Sequence, residues 1–283
     1  MNSFKNIRIS GEDRKTIALD LVYQMSGKQP LVIYAHGFNG FKDWGNFDLM
    51  ASQFAEAGLC FLKFNFSHNG TTPELPEDFT ELEAYGNNNY TKELADLQHV
   101  IEWSLSEANP HHSIINPEKI YLIGHSRGGG IVLLKAAEEK RIKAVATWAS
   151  VAECKTPWGS WKEERIKQWK ETGIDYYTNS RTNQQMPLYY QLYEDYQQHK
   201  ERLDIVKAVE QLSIPLLICH GTNDEAVPAE KAYQLKTAAK QADLFLVASD
   251  HVFGRKHPWP HNHLPQPMQE VVNRTIDFFQ NVR

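Results

Sequence analysis

The sequence predicts an α/β protein whose mostly parallel sheet is covered by helices on both faces. Short apolar runs alternate with helical patterns along most of the chain, which is typical of this class. Runs such as Leu31–Ala35 are apolar throughout, as expected of strands buried on both faces. A chain of 283 residues with 41% hydrophobic residues is long enough to bury such a core.

The predicted elements follow from hydrophobic periodicity and from turn residues. Alternating segments at Phe4–Ser10 and Thr16–Met25 flank a Gly11–Asp13 turn, which predicts an antiparallel hairpin. The further predicted strands are Leu31–Ala35, Cys60–Phe66, Ile120–Ile123, Ile142–Ala149, Ile214–Cys219 and Leu244–Ala248. The predicted helices are Phe47–Ala57, Thr91–Leu105, a helix directly after Ser126, Ala229–Gln241 and Gln269–Phe279.

Residues 151–212 interrupt this alternation. They show no strand pattern and are dense in aromatic and charged residues. Because so long a connection needs structure of its own, we predict a helical cap inserted into a core formed by residues 1–150 and 213–283. Its side chains Trp158, Tyr176 and Tyr189 are candidates for the substrate pocket, although packing between helices is the commoner role of such aromatics.

A Gly-x-Ser-x-Gly turn, Gly124–Gly128, joins the strand Ile120–Ile123 to the helix that follows it. Such a turn holds its serine at a strained backbone position above the sheet, and small residues on either side let strand and helix approach closely. Ser126 is therefore the candidate nucleophile. The backbone N–H of Arg127 would point to where an oxyanion forms.

Two later loops supply the other groups that an activated serine needs. Asp224 follows the strand Ile214–Cys219, and His251 follows Leu244–Ala248, which is the order Ser, acid, His expected for this architecture. We predict a Ser126–His251–Asp224 triad in which His251 is the base and Asp224 orients it. Two alternatives remain. Asp224 could form a simple Asx turn, with Glu225 or Asp250 as the acid, and His251 could be a structural residue.

The segments HGFNG, FNFSHNG, GHSRGG, HGTNDEAVP and SDHVFG together resemble the α/β-hydrolases, from about Leu31 to the C-terminus. They are most similar to the cinnamoyl/feruloyl-esterase and serine-aminopeptidase-like branches, whereas the dienelactone hydrolases, related in shape, use a cysteine nucleophile. The resemblance implies the α/β-hydrolase fold. It also implies that the backbone N–H of Phe38 is the second oxyanion donor beside that of Arg127.

The predicted activity is hydrolysis of a carboxylic ester through an acyl-enzyme on Ser126, without a cofactor. A peptide substrate with a free N-terminus is an alternative, because acidic residues in the cap could bind an ammonium group. Those residues are Glu153, Glu171, Glu194 and Asp195. A non-catalytic ligand receptor on the same fold is a third possibility, although a receptor has no need of all three triad residues.

Composition argues against several other classes of protein. A formal charge of −5 gives no reason to expect nucleic acid, and no apolar run is long enough to span a bilayer. The N-terminal segment lacks the apolar region of a secretory signal, and the three cysteines resemble buried small hydrophobes, so a cytoplasmic protein is expected. His257, His261 and His263 lack the spacing of a zinc site, so no metal is expected. The sequence leaves the oligomeric state open.

Overall fold

The computed structural model describes residues 1–24, 27–45 and 47–282. The strands are β1 (Asn2–Ser10), β2 (Thr16–Tyr23), β3 (Gln29–Ala35), β4 (Cys60–Phe64), β5 (Ile115–His125), β6 (Ile142–Trp148), β7 (Ile174–Thr178), β8 (Gln185–Tyr189), β9 (Leu216–Gly221) and β10 (Ala242–Val247). The helices are α1 (Phe47–Glu56), α2 (Leu82–Gly86), α3 (Tyr90–Leu105), α4 (Arg127–Glu138), α5 (Glu163–Thr172), α6 (Gln191–Gln198), α7 (Ile205–Gln211), α8 (Glu230–Ala238) and α9 (Gln266–Gln280). Short 3₁₀ turns occupy Glu12–Arg14, His112–Ile114 and Trp158–Ser160.

Within the described residues, eight strands form one sheet in the order β1-β2-β4-β3-β5-β6-β9-β10. Every neighbouring pair from β4 to β10 is parallel, while β1 and β2 pair antiparallel at one edge. The predicted fold class is therefore confirmed. Because the central strands are parallel, the loops after β3, β5, β9 and β10 leave the sheet at the same edge.

Helices cover both faces of this sheet, because the apolar side chains of a central strand such as β3 point alternately to the two faces. Leu31 and Ile33 pack in a core layer with α3, α4 and α7, whereas Val32 and Tyr34 pack in the opposite layer with α1 and α9. Since successive side chains of a strand point to opposite faces, a strand that is buried on both faces needs an uninterrupted apolar run. No helix in the described part of the chain has both the length and the apolarity of a membrane span.

The N-terminal segments form the predicted antiparallel hairpin, and β2 ends at Tyr23. The predicted end of that strand, Met25, lies outside the described residues.

The inserted segment, 151–212, differs from its prediction. Besides α5, α6 and α7 it contains an antiparallel hairpin, β7–β8, whose strands pair only with each other. The expectation of an insertion without strands is therefore wrong. Every residue of β7 is at least partly exposed, so the strand has no continuous buried row to produce an alternating pattern. The Trp169 indole N–H donates to the Leu188 carbonyl at 2.6 Å and fixes the hairpin against α5.

Candidate active site

The turn between β5 and α4 holds Ser126 at a positive φ. Its backbone angles are φ 54° and ψ −120°, which are unfavourable for a residue with a side chain. A Cβ at Gly124 would lie 2.2 Å from the Gly128 carbonyl oxygen, and one at Gly128 would lie 2.4 Å from the His36 carbonyl oxygen. Glycine at both positions therefore allows strand and helix to approach closely enough to hold the serine at the end of the sheet.

His251 and Asp224 meet at the end of the neighbouring strands β9 and β10. His251 Nδ1 lies 2.7 Å from Asp224 Oδ2, while Asp224 Oδ1 accepts the backbone N–H groups of Ala226 and Val227 at 2.9 and 2.8 Å. Burial opposes ionisation of Asp224, but hydrogen bonds from His220, His251 and Val227 outweigh it and hold the pKa of Asp224 below its usual range. With Nδ1 donating to this carboxylate, His251 presents Nε2 as its free acceptor.

The two alternative acids, Asp250 and Glu225, do not hydrogen-bond the His251 ring within the segments that the structure describes. Asp250 Oδ1 accepts the backbone N–H groups of Val252 and Gly254 and thereby closes the loop that contains His251. Glu225 is exposed. Of these three carboxylates, only Asp224 hydrogen-bonds the His251 ring.

His125, adjacent to the serine, is a buried neighbour of His251. Its Nε2 lies 2.9 Å from the His251 carbonyl oxygen, and the two rings are 4.8 Å apart between centroids. Burial lowers the pKa of His125 well below its usual value, and the Arg255 guanidinium lowers it further. His125 is therefore a neutral residue that fixes the backbone of the His251 loop.

Ser126 and His251 line the same cavity, but their side chains are not hydrogen-bonded to each other. In the part of the chain that the structure describes, Ser126 Oγ has no hydrogen-bonding partner. Hydrogen bonds between a nucleophile and its base are often long before substrate binds. The structure thus brings His251 and Asp224 into contact and places Ser126 on the same cavity wall.

The loop after β3 lies directly against the serine. A Cβ at Gly37 would be 3.0 Å from Ser126 Cβ. The next residue, Phe38, has a backbone N–H that donates to no group in the described ranges. Arg127 is the first residue of α4, where an N–H has no acceptor within the helix. Among the residues described, the two predicted oxyanion donors thus belong to residues that adjoin Gly37 and Ser126, and neither N–H donates to another group.

The Arg127 side chain has a separate, structural role. It is buried, its Nε donates to Glu93 at 2.9 Å, and its guanidinium lies 3.9 Å from the Tyr90 ring centroid. Nη1 reaches the Thr156 carbonyl oxygen at 3.3 Å. The side chain therefore connects α3 and α4 to the inserted segment, while its backbone N–H remains at the serine.

The cavity at Ser126 has a volume of about 390 Å³. It lies between the loops after β3, β5 and β10 and the tip of the β7–β8 hairpin. The lining residues are Tyr34, His36, Gly37, Phe38, Asn39, Gly40, Trp44, Phe47, His125, Ser126, Tyr177, Thr178, Asn179, Ser180, Arg181, His251, Val252, Arg255, Lys256 and His257.

None of the three aromatic residues predicted to line a substrate pocket borders this cavity. Trp158 is buried between α3 and the helices of the insertion, Tyr176 is 49% exposed, and the Tyr189 hydroxyl donates to Glu83. Tyr177 lines the cavity instead. Because neighbouring residues of a strand point to opposite faces, the prediction selected the wrong tyrosine of β7.

The structure also adds residues that the sequence did not single out. Tyr34 contributes the one hydroxyl group of the run Leu31–Ala35, and Arg255 follows His251 by four residues. Both line the cavity. The hydroxyl in an otherwise apolar strand was a usable signal for Tyr34, whereas nothing in the sequence marked Arg255.

Three carboxylates elsewhere have the spacing of a metal site. Oxygen atoms of Asp20, Asp43 and Asp48 lie within 4.8 Å of one another. Two ammonium groups already lie among them, because Lys42 Nζ is 2.9 Å and Lys63 Nζ 3.1 Å from Asp20 Oδ2. The cluster is a buried ion-pair network that joins β2 and β4 to the loop after β3.

Comparison with known structures shows the same fold over nearly the whole chain. Est1E from Butyrivibrio proteoclasticus, solved with ferulic acid bound, superposes with a TM-score of 0.70 at 19% identity, covering 98% of each chain. GrgF, an alpha/beta hydrolase from Penicillium sp. sh18, gives a TM-score of 0.71 at 18% identity over 100% of this chain and 99% of its own. An esterase domain from Rhodothermus marinus gives 0.62 at 19% identity over 98% of each chain. Identities this low support a shared fold alone.

Comparison with curated protein sequences gives no match. The family model described as "alpha/beta hydrolase fold" matches residues 30–173, which is half of the chain. This segment includes the loop after β3, the Ser126 turn and the start of the insertion. With the sheet order and the position of that turn, the match shows that the chain belongs to the alpha/beta hydrolase fold family.

Proposed function

We propose that this hydrolase cleaves carboxylic esters of small molecules through an acyl-enzyme on Ser126. The observation that supports the proposal best is the 2.7 Å contact between His251 Nδ1 and Asp224 on the cavity that Ser126 lines. A carboxylate on Nδ1 selects the tautomer whose Nε2 can accept a proton.

The reaction then has two halves. Ser126 Oγ attacks the ester carbonyl carbon while its proton moves to His251 Nε2, and the oxyanion accepts hydrogen bonds from the Phe38 and Arg127 backbone N–H groups. Collapse breaks the bond to the alkoxy oxygen, which takes the proton from His251 and leaves as the alcohol. Water next attacks the acyl-enzyme, gives its proton to His251, and the carboxylic acid is released as Ser126 regains that proton.

An aminopeptidase-like activity lacks comparable support. The acidic residues considered for an ammonium site lie elsewhere: Glu153 pairs with Lys155 and Lys231, and Asp195 accepts hydrogen bonds from Thr91. Among the described residues that line the cavity there is no Asp or Glu. A substrate ammonium group would therefore enter a cavity without a counter-charge.

The test compares Ser126→Ala with the wild-type enzyme on 4-nitrophenyl esters of increasing acyl length and on aminoacyl 4-nitroanilides. We expect ester hydrolysis that falls by at least about 10⁴-fold in the variant, with the anilides uncleaved. Ser113→Ala is the matched control, because Ser113 is exposed just before β5, at the opposite edge of the sheet. Ester turnover that survives in Ser126→Ala would contradict the proposal, and cleavage of anilides alone would support the amide alternative.

A further inference from the structure

The cavity wall contains a buried arginine, Arg255, whose terminal nitrogens lack a hydrogen-bonding partner among the described residues. Arg255 is 3% exposed, and its Nε donates to the Val252 carbonyl oxygen at 3.0 Å. Within the described ranges, its two terminal nitrogens, Nη1 and Nη2, have no hydrogen-bonding partner and its guanidinium forms no ion pair. The guanidinium lies 5.3 and 4.6 Å from the ring centroids of Trp44 and Phe47.

A second unsatisfied donor belongs to the same wall. The Tyr34 hydroxyl is buried and has no hydrogen-bonding partner in the part of the chain that the structure describes. The Tyr34 ring lies 4.6 Å from that of Phe47, which also contacts the Arg255 guanidinium. Burial raises the pKa of Tyr34 and lowers that of Arg255 to about 10, so the phenol is neutral and the guanidinium charged at pH 7. Tyr34 Oη and the two Arg255 nitrogens are therefore three donors that find no acceptor among residues 1–24, 27–45 and 47–282.

Such an arrangement is unfavourable in the free protein. Buried polar groups are nearly always hydrogen-bonded, and a buried charge is costly unless it is paired. The rest of the cavity increases the positive potential, since Arg181 and Lys256 also line it and no carboxylate does among the described residues. An anion in this part of the cavity would supply the acceptor that these donors lack among the described residues.

We propose that Arg255 and Tyr34 bind a free carboxylate of the substrate, so that the preferred substrates are esters that also contain an ionised carboxyl group. The planar guanidinium can donate two parallel hydrogen bonds to one carboxylate, and the Tyr34 hydroxyl can donate a third. The inference rests on the proposed esterase activity, because it defines which esters the same cavity accepts. Arg255 thereby selects the substrate and takes no part in proton transfer.

The kinetic test uses two esters that differ only in whether the distal carboxyl group is free or methylated. Mono-4-nitrophenyl adipate contains the free carboxylate, and methyl 4-nitrophenyl adipate masks it. We expect kcat/KM of the wild-type enzyme to favour the anionic ester, and Arg255→Gln to lower that preference about 30- to 100-fold, mainly through KM. Tyr34→Phe should lower it about fivefold, and Arg255→Lys should retain part of it. Arg274→Gln, which removes an exposed cation paired with Asp243, should leave the preference unchanged.

A binding test separates this inference from the catalytic one. Adipate is titrated calorimetrically into Ser126→Ala and into Ser126→Ala/Arg255→Gln, and we expect affinity to fall at least tenfold in the double variant. Adipate should raise the unfolding temperature of wild type but not of Arg255→Gln, which should itself unfold no earlier because an unpaired buried charge has been removed.

The outcomes distinguish the two claims. Adipate binding that depends on Arg255, in a chain that hydrolyses no ester, would support the anion site and refute the esterase. A different result would refute the anion site without affecting the proposed esterase activity. In that case Ser126 would hydrolyse both esters equally well, and adipate would bind with the same affinity whether or not Arg255 is present. If Arg255→Gln does not fold, the same comparison in Tyr34→Phe and Arg255→Lys decides: an unchanged preference in both would overturn the inference.

Discussion

Replacing Asp224 by Asn examines the geometry of the candidate triad most closely. The amide can keep Oδ1 toward the Ala226 and Val227 N–H groups, which the carboxylate accepts at 2.9 and 2.8 Å. Its NH₂ group then faces His251 Nδ1, where an oxygen lies at 2.7 Å in the native chain. Because this NH₂ can only donate, Nδ1 must accept, and the proton of the neutral ring moves to Nε2. His251 would then present a donor to Ser126 in place of a base.

The expected loss in kcat is about 10⁴-fold, or about 5 kcal/mol of transition-state stabilisation. Since the backbone hydrogen bonds of the Asp224 loop persist, the free energy of unfolding should fall by less than about 2 kcal/mol. The assay is steady-state hydrolysis of a 4-nitrophenyl ester, with urea unfolding of the same preparations.

Asp250→Asn is the matched control, because Asp250 precedes His251 and its described hydrogen bonds come from two backbone N–H groups and the neighbouring Ser249 hydroxyl. The kcat of the Asp250→Asn enzyme should differ from that of the wild type by less than about threefold. A folded Asp224→Asn enzyme that keeps more than a tenth of the wild-type rate, or a larger loss in Asp250→Asn, would refute the assignment of the acid.

Three further predictions concern the fold around the site. Gly128→Ala should destabilise by more than about 3 kcal/mol in urea unfolding, because the added Cβ would meet backbone carbonyl oxygens of His36 and Ala35 at 2.4 and 2.5 Å. Lys63→Met should cost about 3–5 kcal/mol, since it removes one of two cations that neutralise the buried Asp20; exposed Lys119→Met is the control. Burial lowers the pKa of His36 to about 4, so the unfolded chain binds the proton first as pH falls. His36 should therefore contribute a loss of about 3 kcal/mol in the free energy of unfolding between about pH 6.5 and pH 4, and the decline should be smaller by this amount in His36→Gln.

Each of these three predictions has an outcome that would contradict it. An alanine at position 128 that leaves the unfolding midpoint unchanged would show that β3 and α4 can separate at no cost. Equal effects of Lys63→Met and Lys119→Met would show that the ion-pair network does not neutralise a buried charge. A pH profile of stability that is flat between pH 4 and 6.5 would contradict a neutral, buried His36.

The sequence was most informative where one local pattern determines structure. Apolar runs ending in glycine- or aspartate-containing loops located β5, β9 and β10, and the sheet edge common to parallel strands then predicted that Asp224 and His251 lie close together. The nearness of Phe38 to Ser126 required a family resemblance, because the loop after β3 has no local feature that directs it toward β5.

The remaining features depend on contacts between distant segments. The hairpin β7–β8 is stabilised by pairing within the insertion and by Trp169, so its strands lack the buried alternation that identifies a strand in a sequence. Which tyrosine of β7 reaches the cavity depends on how the hairpin packs. The terminal nitrogens of Arg255 lack a hydrogen-bonding partner because no described carboxylate from a distant segment lines this wall. A local stretch of sequence cannot predict such an absence.

The central claim is that Ser126 is activated by His251, and covalent labelling tests it most directly. A fluorophosphonate is incubated with the wild-type enzyme and with His251→Ala, and the adduct is located by peptide mass spectrometry. The account predicts one phosphonate per chain, on the peptide that contains Ser126, and labelling at least about 10³-fold slower without the imidazole. An enzyme that hydrolyses esters while Ser126 remains unlabelled, or that is labelled equally fast without His251, would contradict it.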